Sequence, residues 1–467
     1  MRTTTVVTKQ MSRRAVLGGF AAMAGAAILA ACGGSSTSAT ATSVAPTVKA
    51  AQTTITGAAT SAGPTTSAAA TTVTGAATSA APTTAAAVTA ITGAATSAAP
   101  TVAAAGTTVS SAATIAAPTV NAAATTVSGS AAAGPYTGKK LSVALVLNGT
   151  LGDKSFFDSA QRGVDRAKTE LGMTVKTIEL GYDQNKWGPG LADAAAQNYD
   201  VIICGTFDME QYINETALKA KTKKFIFFDD VVDYKKGYEN VYSVTYKQNE
   251  GSYLAGFMAG LLVQSSDANV TKGTGGGKKV GFLGGSNIPV ITDFLAGYKQ
   301  GAKDAGLKDA DVLTSFVEGQ TPFSDPAKGK EQTLAMYNQG AGIAFNVAGS
   351  SGLGLLDAGG QAKRFTIGVD SDQYTILKDS KPDQAQWIVT SMQKRVDNSL
   401  VRTLRLAGEE KLKFGSAEAL GLTDGGVELA DNENYKKLVP QDIRDKVAAK
   451  AKDIASGKIK VDSSFKA

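Results

Sequence analysis

Two kinds of side chain in this sequence could carry chemistry, and the one that most often does is missing. There is no histidine among the 467 residues. That removes the commonest general base, the Ser-His-Asp arrangement and the commonest metal ligand. The two cysteines, Cys32 and Cys204, are too few for a cysteine-based zinc site. Aromatics and carboxylates remain. The stretch "DKSFFD" (153–158) sets Phe156 beside Phe157 in a polar turn after an apolar run. Adjacent positions at a helix start point in different directions, so one ring is expected in the core and the other in a cleft. Aspartates close two further apolar runs, "KFIFFDD" (224–230) and "RFTIGVDSD" (364–372). Ionised, such acids accept hydrogen bonds from ligand hydroxyls; paired, they could also hydrolyse a glycosidic bond. Nothing marks one of them as the acid partner of a hydrolase, so no catalytic residue and no cofactor are assigned, and the chain is not expected to be an enzyme.

The elements that would position these groups alternate. "KLSVALVL" (140–147) is a continuous apolar run, as in a parallel strand covered on both faces. Helical spacing follows from Phe156 to a glycine stop at Gly172. Strand and helix patterns then alternate through "VYSVTY" (241–246), and the series restarts with the small-residue helix "GSYLAGFMAGLLVQ" and the strand "KKVGFLGG" (278–285). Two such series predict an α/β, two-lobed fold, each lobe a doubly wound parallel sheet. Ligands of such sheets sit at the carboxyl ends of strands. That rule selects Asn148, residues 204–207, 229–230, 284–287, 319–323, 348–350 and 370–372. A strand-end aspartate also caps the following helix, and Asp372 fits that role as well as a ligand contact. "KGTGGGKK" (272–279) lacks the phosphate-loop spacing and precedes a strand, so it is read as a flexible loop.

The first 138 residues do not read as globular. "MSRRAVLGGFAAMAGAAILAAC" has a signal-peptide plan, with Arg13 and Arg14 before an apolar run of about 17 residues, short for a lasting membrane span. Its end, Leu29-Ala30-Ala31-Cys32, resembles the lipobox of bacterial lipoproteins, which implies cleavage before Cys32 and lipidation of its thiol. Beyond it lies a stretch of Ala, Thr, Ser, Gly, Val and Pro in which "ITGAATSA" or "VTGAATSA" recurs at 55, 73 and 91, a period of 18. So little large apolar surface cannot offset ordering entropy, and a disordered tether of ~100 residues reaching ~50–60 Å is expected. A glycosylated stalk or a repeat solenoid are the alternatives. The expected organisation is a signal peptide at 1–31, the lipidated tether at 32–138, lobe one at 139–246 completed by about 391–418, lobe two at 247–390 completed by about 419–430, and a C-terminal helical segment at 431–467. Net charge is +6 with no basic stripe interleaved with aromatics, which argues against nucleic-acid binding.

From about 140 to 430, the stretches "DKSFFD", "FFDDVVD", "GSYLAGFMAG", "GFLGGSNIPVI", "FSDPAKGKE", "NVAGSSGLG", "IGVDSDQ", "TSMQKRVD" and "GLTDGGVEL" resemble, in order, the basic membrane protein family of bacterial lipoproteins. These are substrate-binding proteins of ABC importers, the best understood of which bind purine nucleosides. The resemblance implies a type I periplasmic-binding-protein fold, an ABC permease as partner and a lipid-anchored monomer on the extracytoplasmic face of the cell membrane. It also implies site roles. Phe156 and Phe323 match aromatics that stack on the ligand from opposite lobes. Asp229 and Asp370 match carboxylates that accept from it, Lys394 a polar contact near the hinge, and Gly349 a place where backbone approaches the ligand. This chain departs at two positions, with Phe157 where the family usually has Asn and Asn148 where Asp is common. A receptor for a sugar or signalling molecule, or a stalked surface adhesin, are the alternatives.

Overall fold

The computed structural model describes residues 135–465 and, before them, five short strands. The chain divides into two units, Met1–Thr126 and Val127–Ala467. In the first unit the strands are β1 (Ser35–Ser38), β2 (Gln52–Thr56), β3 (Ala70–Thr74), β4 (Val88–Thr92) and β5 (Thr107–Ser110). They pair in parallel in chain order, and partners such as Gln52 and Ala70 or Ala70 and Val88 lie 18 residues apart. The register therefore repeats the period of the sequence. Cys32 and the rest of the tract expected to be a tether lie outside the described residues.

The second unit holds two six-stranded sheets. The first runs in the order β16 (Ser416–Leu420), β10 (Val241–Tyr246), β9 (Lys224–Phe228), β8 (Val201–Gly205), β6 (Ser142–Leu147), β7 (Thr174–Glu179), all parallel. The second runs β12 (Val312–Phe316), β11 (Lys279–Gly284), β13 (Ala341–Val347), β14 (Phe365–Val369), β15 (Ile388–Lys394), β17 (Val427–Leu429), parallel but for the last pair. The central strands are mostly apolar because helices cover both faces; β8, β13 and β14 are wholly buried, with Cys204 inside β8 and the polar exceptions Asn346 in β13 and Thr366 in β14. The two-lobed α/β reading is the fold observed.

The small-residue run has a packing reason. Helix Gln248–Gln264 crosses helix Pro289–Asp304 so closely that a Cβ on Gly256 would lie 2.0 Å from the Tyr298 carbonyl, and one on Gly297 2.0 Å from that of Asn249. The chain passes between lobes after Tyr246, after Lys394 and through Gly421–Gly426. These crossings bind one another: Lys247 N–H donates to the Leu420 carbonyl at 2.8 Å and Arg395 N–H to that of Gly426 at 2.8 Å. The return to lobe one comes after Lys394 and not at 391, because Met392, Gln393 and Lys394 still pair with Leu429, Glu428 and Val427. Likewise Ala419 and Leu420 belong to β16 of the first sheet and not to lobe two. Helix Val396–Gly408 then packs on helix Phe156–Leu171. Helix Gln441–Ala455 packs on helix Gln248–Gln264, and the tail beyond it runs along the start of helix Pro289–Asp304.

Candidate binding site

The carboxyl ends of the two sheets face one cavity of about 510 Å³. Asn148, Phe156, Phe157, Asp229, Phe323, Gly349, Asp370 and Lys394 all line it. Asp372 does not. Two residues past Asp370 it caps helix Gln373–Leu377, accepting from Thr375 N–H at 3.3 Å and Thr375 Oγ1 at 2.6 Å, and it takes the Asn432 amide at 2.8 Å. Its expected ligand contact is therefore corrected to a structural cap.

The loop "DKSFFD" is built by its two acids. Asp153 accepts from the backbone N–H groups of Ser155, Phe157 and Asp158 at 3.0, 2.8 and 3.1 Å. Asp158 accepts from Gly152 and Lys154 N–H at 2.7 and 3.1 Å. With the turn fixed, both phenylalanines reach the cavity, where one had been expected in the core. Phe156 also leans on core residue Phe228, centroids 5.4 Å apart, and meets Phe157 edge-on at 5.5 Å. Phe157 lies over Gly149, where a Cβ would come within 2.3 Å of the ring.

Asp229 and Asp370 occupy matching places. Each follows a central strand, and each donates its N–H to the next strand, Asp229 to Val244 O at 2.8 Å and Asp370 to Met392 O at 2.9 Å. Each holds a left-handed backbone, φ 70° and 61°, which few non-glycine residues adopt and which turns the side chain out of the strand's alternation. Their surroundings differ. Asp229 pairs with Lys394 at 2.5 Å, with the two side chains 9% and 3% exposed. The Lys394 ammonium also stands 4.9 to 5.6 Å from the ring centroids of Phe294, Phe156 and Tyr246. Asp370 accepts from Ser155 Oγ of the other lobe at 2.5 Å. Burial raises both carboxyl pKa values; Lys394 opposes this at each, and Asp370 is nonetheless pushed up to about 7.

The lobes also touch where Ser371 Oγ donates to Ser155 O at 2.8 Å and Arg162 donates to Ser371 Oγ at 2.7 Å. Asn148 is 6% exposed; its amide donates to Thr206 Oγ1 at 2.9 Å, while its Oδ1 has no partner among the described residues. Phe323 covers Gly285, where a Cβ would fall 2.2 Å from the ring, and its carbonyl accepts from Ser351 N–H at 3.3 Å next to Gly349. Sequence reasoning missed Trp187 and Tyr182, which line the cavity beyond β7. The strand-end rule would have found them had the end of that strand been included. Phe294 also lines it, from a helix face, and carried no sequence signal. With four lining carboxylates, Asp153, Asp208, Asp229 and Asp370, and Lys394 as its one lining cation among the described residues, the cavity disfavours phosphate.

Residues 140–464 match the family described as ABC transporter substrate-binding protein PnrA-like. Among curated relatives, a Listeria monocytogenes CD4+ T-cell-stimulating antigen is 28% identical, over 69% of this chain and 88% of its own. The Lactococcus lactis ABC transporter nucleoside-binding protein BmpA is 28% identical, over 70% and 90%. Among solved structures, an ABC transporter solute-binding protein from Aeropyrum pernix K1 is 26% identical, with a TM-score of 0.60 over 68% of this chain and 92% of its own.

Proposed function

Because the chain belongs to the PnrA-like family of ABC transporter substrate-binding proteins, a family of binding proteins and not of enzymes, we propose that it captures a purine nucleoside between its lobes and delivers it to a membrane permease. The observation that carries this reading is one cavity with Phe156 on the first lobe, Phe323 on the second, and Asp229 and Asp370 at matching strand ends. A flat base between two rings gains ~1–3 kcal/mol from stacking. Ribose hydroxyls are donors, and bonds to ionised acceptors are worth ~1.5–3 kcal/mol each. The cavity volume lies within the ~300–1,000 Å³ usual for small-molecule sites. The name of the Lactococcus relative, a nucleoside-binding protein, points the same way.

Ligand favours the state in which both lobes contact it, so binding is a shift toward closure about the three crossings. In the same reading Cys32 is lipidated, the chain is a monomer held at the extracytoplasmic face of the cell membrane, and the tract after Cys32 sets its distance from that surface. The test is titration calorimetry of the purified protein with inosine, guanosine, adenosine, cytidine and ribose. Tight binding of one purine nucleoside with weak binding of ribose supports the proposal. Ribose binding as tightly as any nucleoside would move the reading to a sugar receptor, and no heat with any of them would remove it.

A further inference from the structure

A second cavity of about 880 Å³ lies behind the crossings. Asp229 borders it as well as the front cavity, so the two share a wall. Its polar lining is rich in acceptors. Four carboxylates, Asp229, Asp230, Glu250 and Asp293, stand against two ammonium groups, Lys247 and Lys460. Lys247 already pairs with Glu250 at 3.6 Å, and Lys460 is exposed.

Gln248 adds an independent sign. It is 1% exposed, its Nε2 donates to Asp293 at 2.6 Å, and its Oε1 accepts nothing among the described groups. Asp230 repeats the pattern, with Oδ1 taken by Val231 N–H at 2.8 Å and Oδ2 without a partner. A buried acceptor left unpaired is costly, and two around one cavity ask for a donor that the described protein groups do not supply. Val231, Ile454, Ile459, Val461 and Phe465 give the cavity apolar wall, beside the polar side chains of Thr245, Tyr246, Asn249, Thr423 and Ser463.

We propose that this rear cavity binds a protonated aliphatic di- or polyamine, its ammonium ends on Gln248 and the aspartates and its methylene stem against the apolar walls. An ammonium brings N–H donors only, which is what the unpaired oxygens of Gln248 and Asp230 lack. A bare metal ion would leave the apolar walls unused. Because Asp229 borders both cavities, amine and front-cavity ligand influence each other's affinity by the same factor.

The test is calorimetry of the full chain with 1,4-diaminobutane and with spermidine, using butane-1,4-diol, ammonium chloride and potassium chloride as controls. Heat with the amines and none with the controls is expected. Asp230→Asn replaces the unpaired carboxyl oxygen that an ammonium would pair with by an amide, and Val231→Trp fills the cavity from its exposed rim; each is expected to weaken amine binding about tenfold or more. Circular dichroism checks that each variant is folded, and either folded variant alone decides. No heat with any amine overturns the proposal, as does amine binding unchanged in a folded variant. Equal heat with ammonium or potassium chloride would reduce the site to one for a simple cation, which also overturns it.

Discussion

Replacing Lys394 with Met isolates the pair at the centre of the site. The Lys394–Asp229 ion pair is 2.5 Å long and almost fully buried. Removing one partner of such a pair leaves a buried charge uncompensated, at a cost of ~3–5 kcal/mol. Asp229 would be worse placed than most, since Asp293 and Asp370 already act on it or are acted on by it as like charges. Its carboxyl pKa, raised by burial even with the ammonium beside it, would rise further. A carboxyl whose folded pKa exceeds its unfolded value of ~4 binds its proton more tightly when folded, so the penalty is full above the folded pKa and fades as pH falls. Lys394→Met should therefore lose up to ~3–5 kcal/mol at pH ~8 and less at pH ~5.5. Adding Asp229→Asn should recover most of the loss at the higher pH. Urea unfolding is the assay. Tryptophan fluorescence reports Trp187 in lobe one and Trp387 in lobe two, so coincident transitions also test whether the lobes unfold together. A single variant within ~1 kcal/mol of wild type at both pH values, or a double variant no more stable than the single one, would refute the argument.

Other outcomes follow from the same geometry. Phe323→Ala should weaken nucleoside binding by ~1–3 kcal/mol in calorimetry while the protein stays folded with a modestly lowered melting temperature, because its half-buried ring covers Gly285 and packs only against the edge of the core. Gly285→Ala should weaken binding too, since the new methyl would stand 2.2 Å from that ring. Asp370, at about 7 when folded against ~4 unfolded, should make the unliganded protein lose up to about 4 kcal/mol as pH rises from ~4 through ~7; Asp370→Asn should flatten that profile in urea titrations. Asn148 presents an acceptor, so purine riboside, which lacks N–H donors on its base, should bind more weakly than inosine, and Asn148→Ala should shrink the difference measured by competition.

Much of the site was readable because a parallel sheet gathers its strand ends on one side, and strand ends can be found from apolar runs. What could not be read is which way a side chain turns once the strand stops. Asp370 and Asp372 are equivalent by alternation, yet the left-handed turn at Asp370 sends one into the cavity and leaves the other to cap a helix. Phe156 and Phe157 were split between core and cleft by helical spacing, but Asp153 and Asp158 hold the loop so that both face the cavity. The crossing after Lys394 depends on the pairing of β15 with β17, a long-range contact invisible to local pattern. The 18-residue repeat was plain in the sequence, and what the structure adds is parallel strands paired at that same offset.

The threading of the lobes bears on how the molecule is made. The first sheet is not finished when its first five strands exist; its edge strand β16 emerges roughly 170 residues after β10, when nearly all of the second sheet is already present. Until then β10 is an exposed edge, open to pairing with another chain. Neither lobe is a continuous stretch that could be cut out and expressed by itself. Such distant pairings slow folding, so the nascent protein has an extended interval with that edge uncovered, and a holding factor would serve it most during synthesis of residues 247–415.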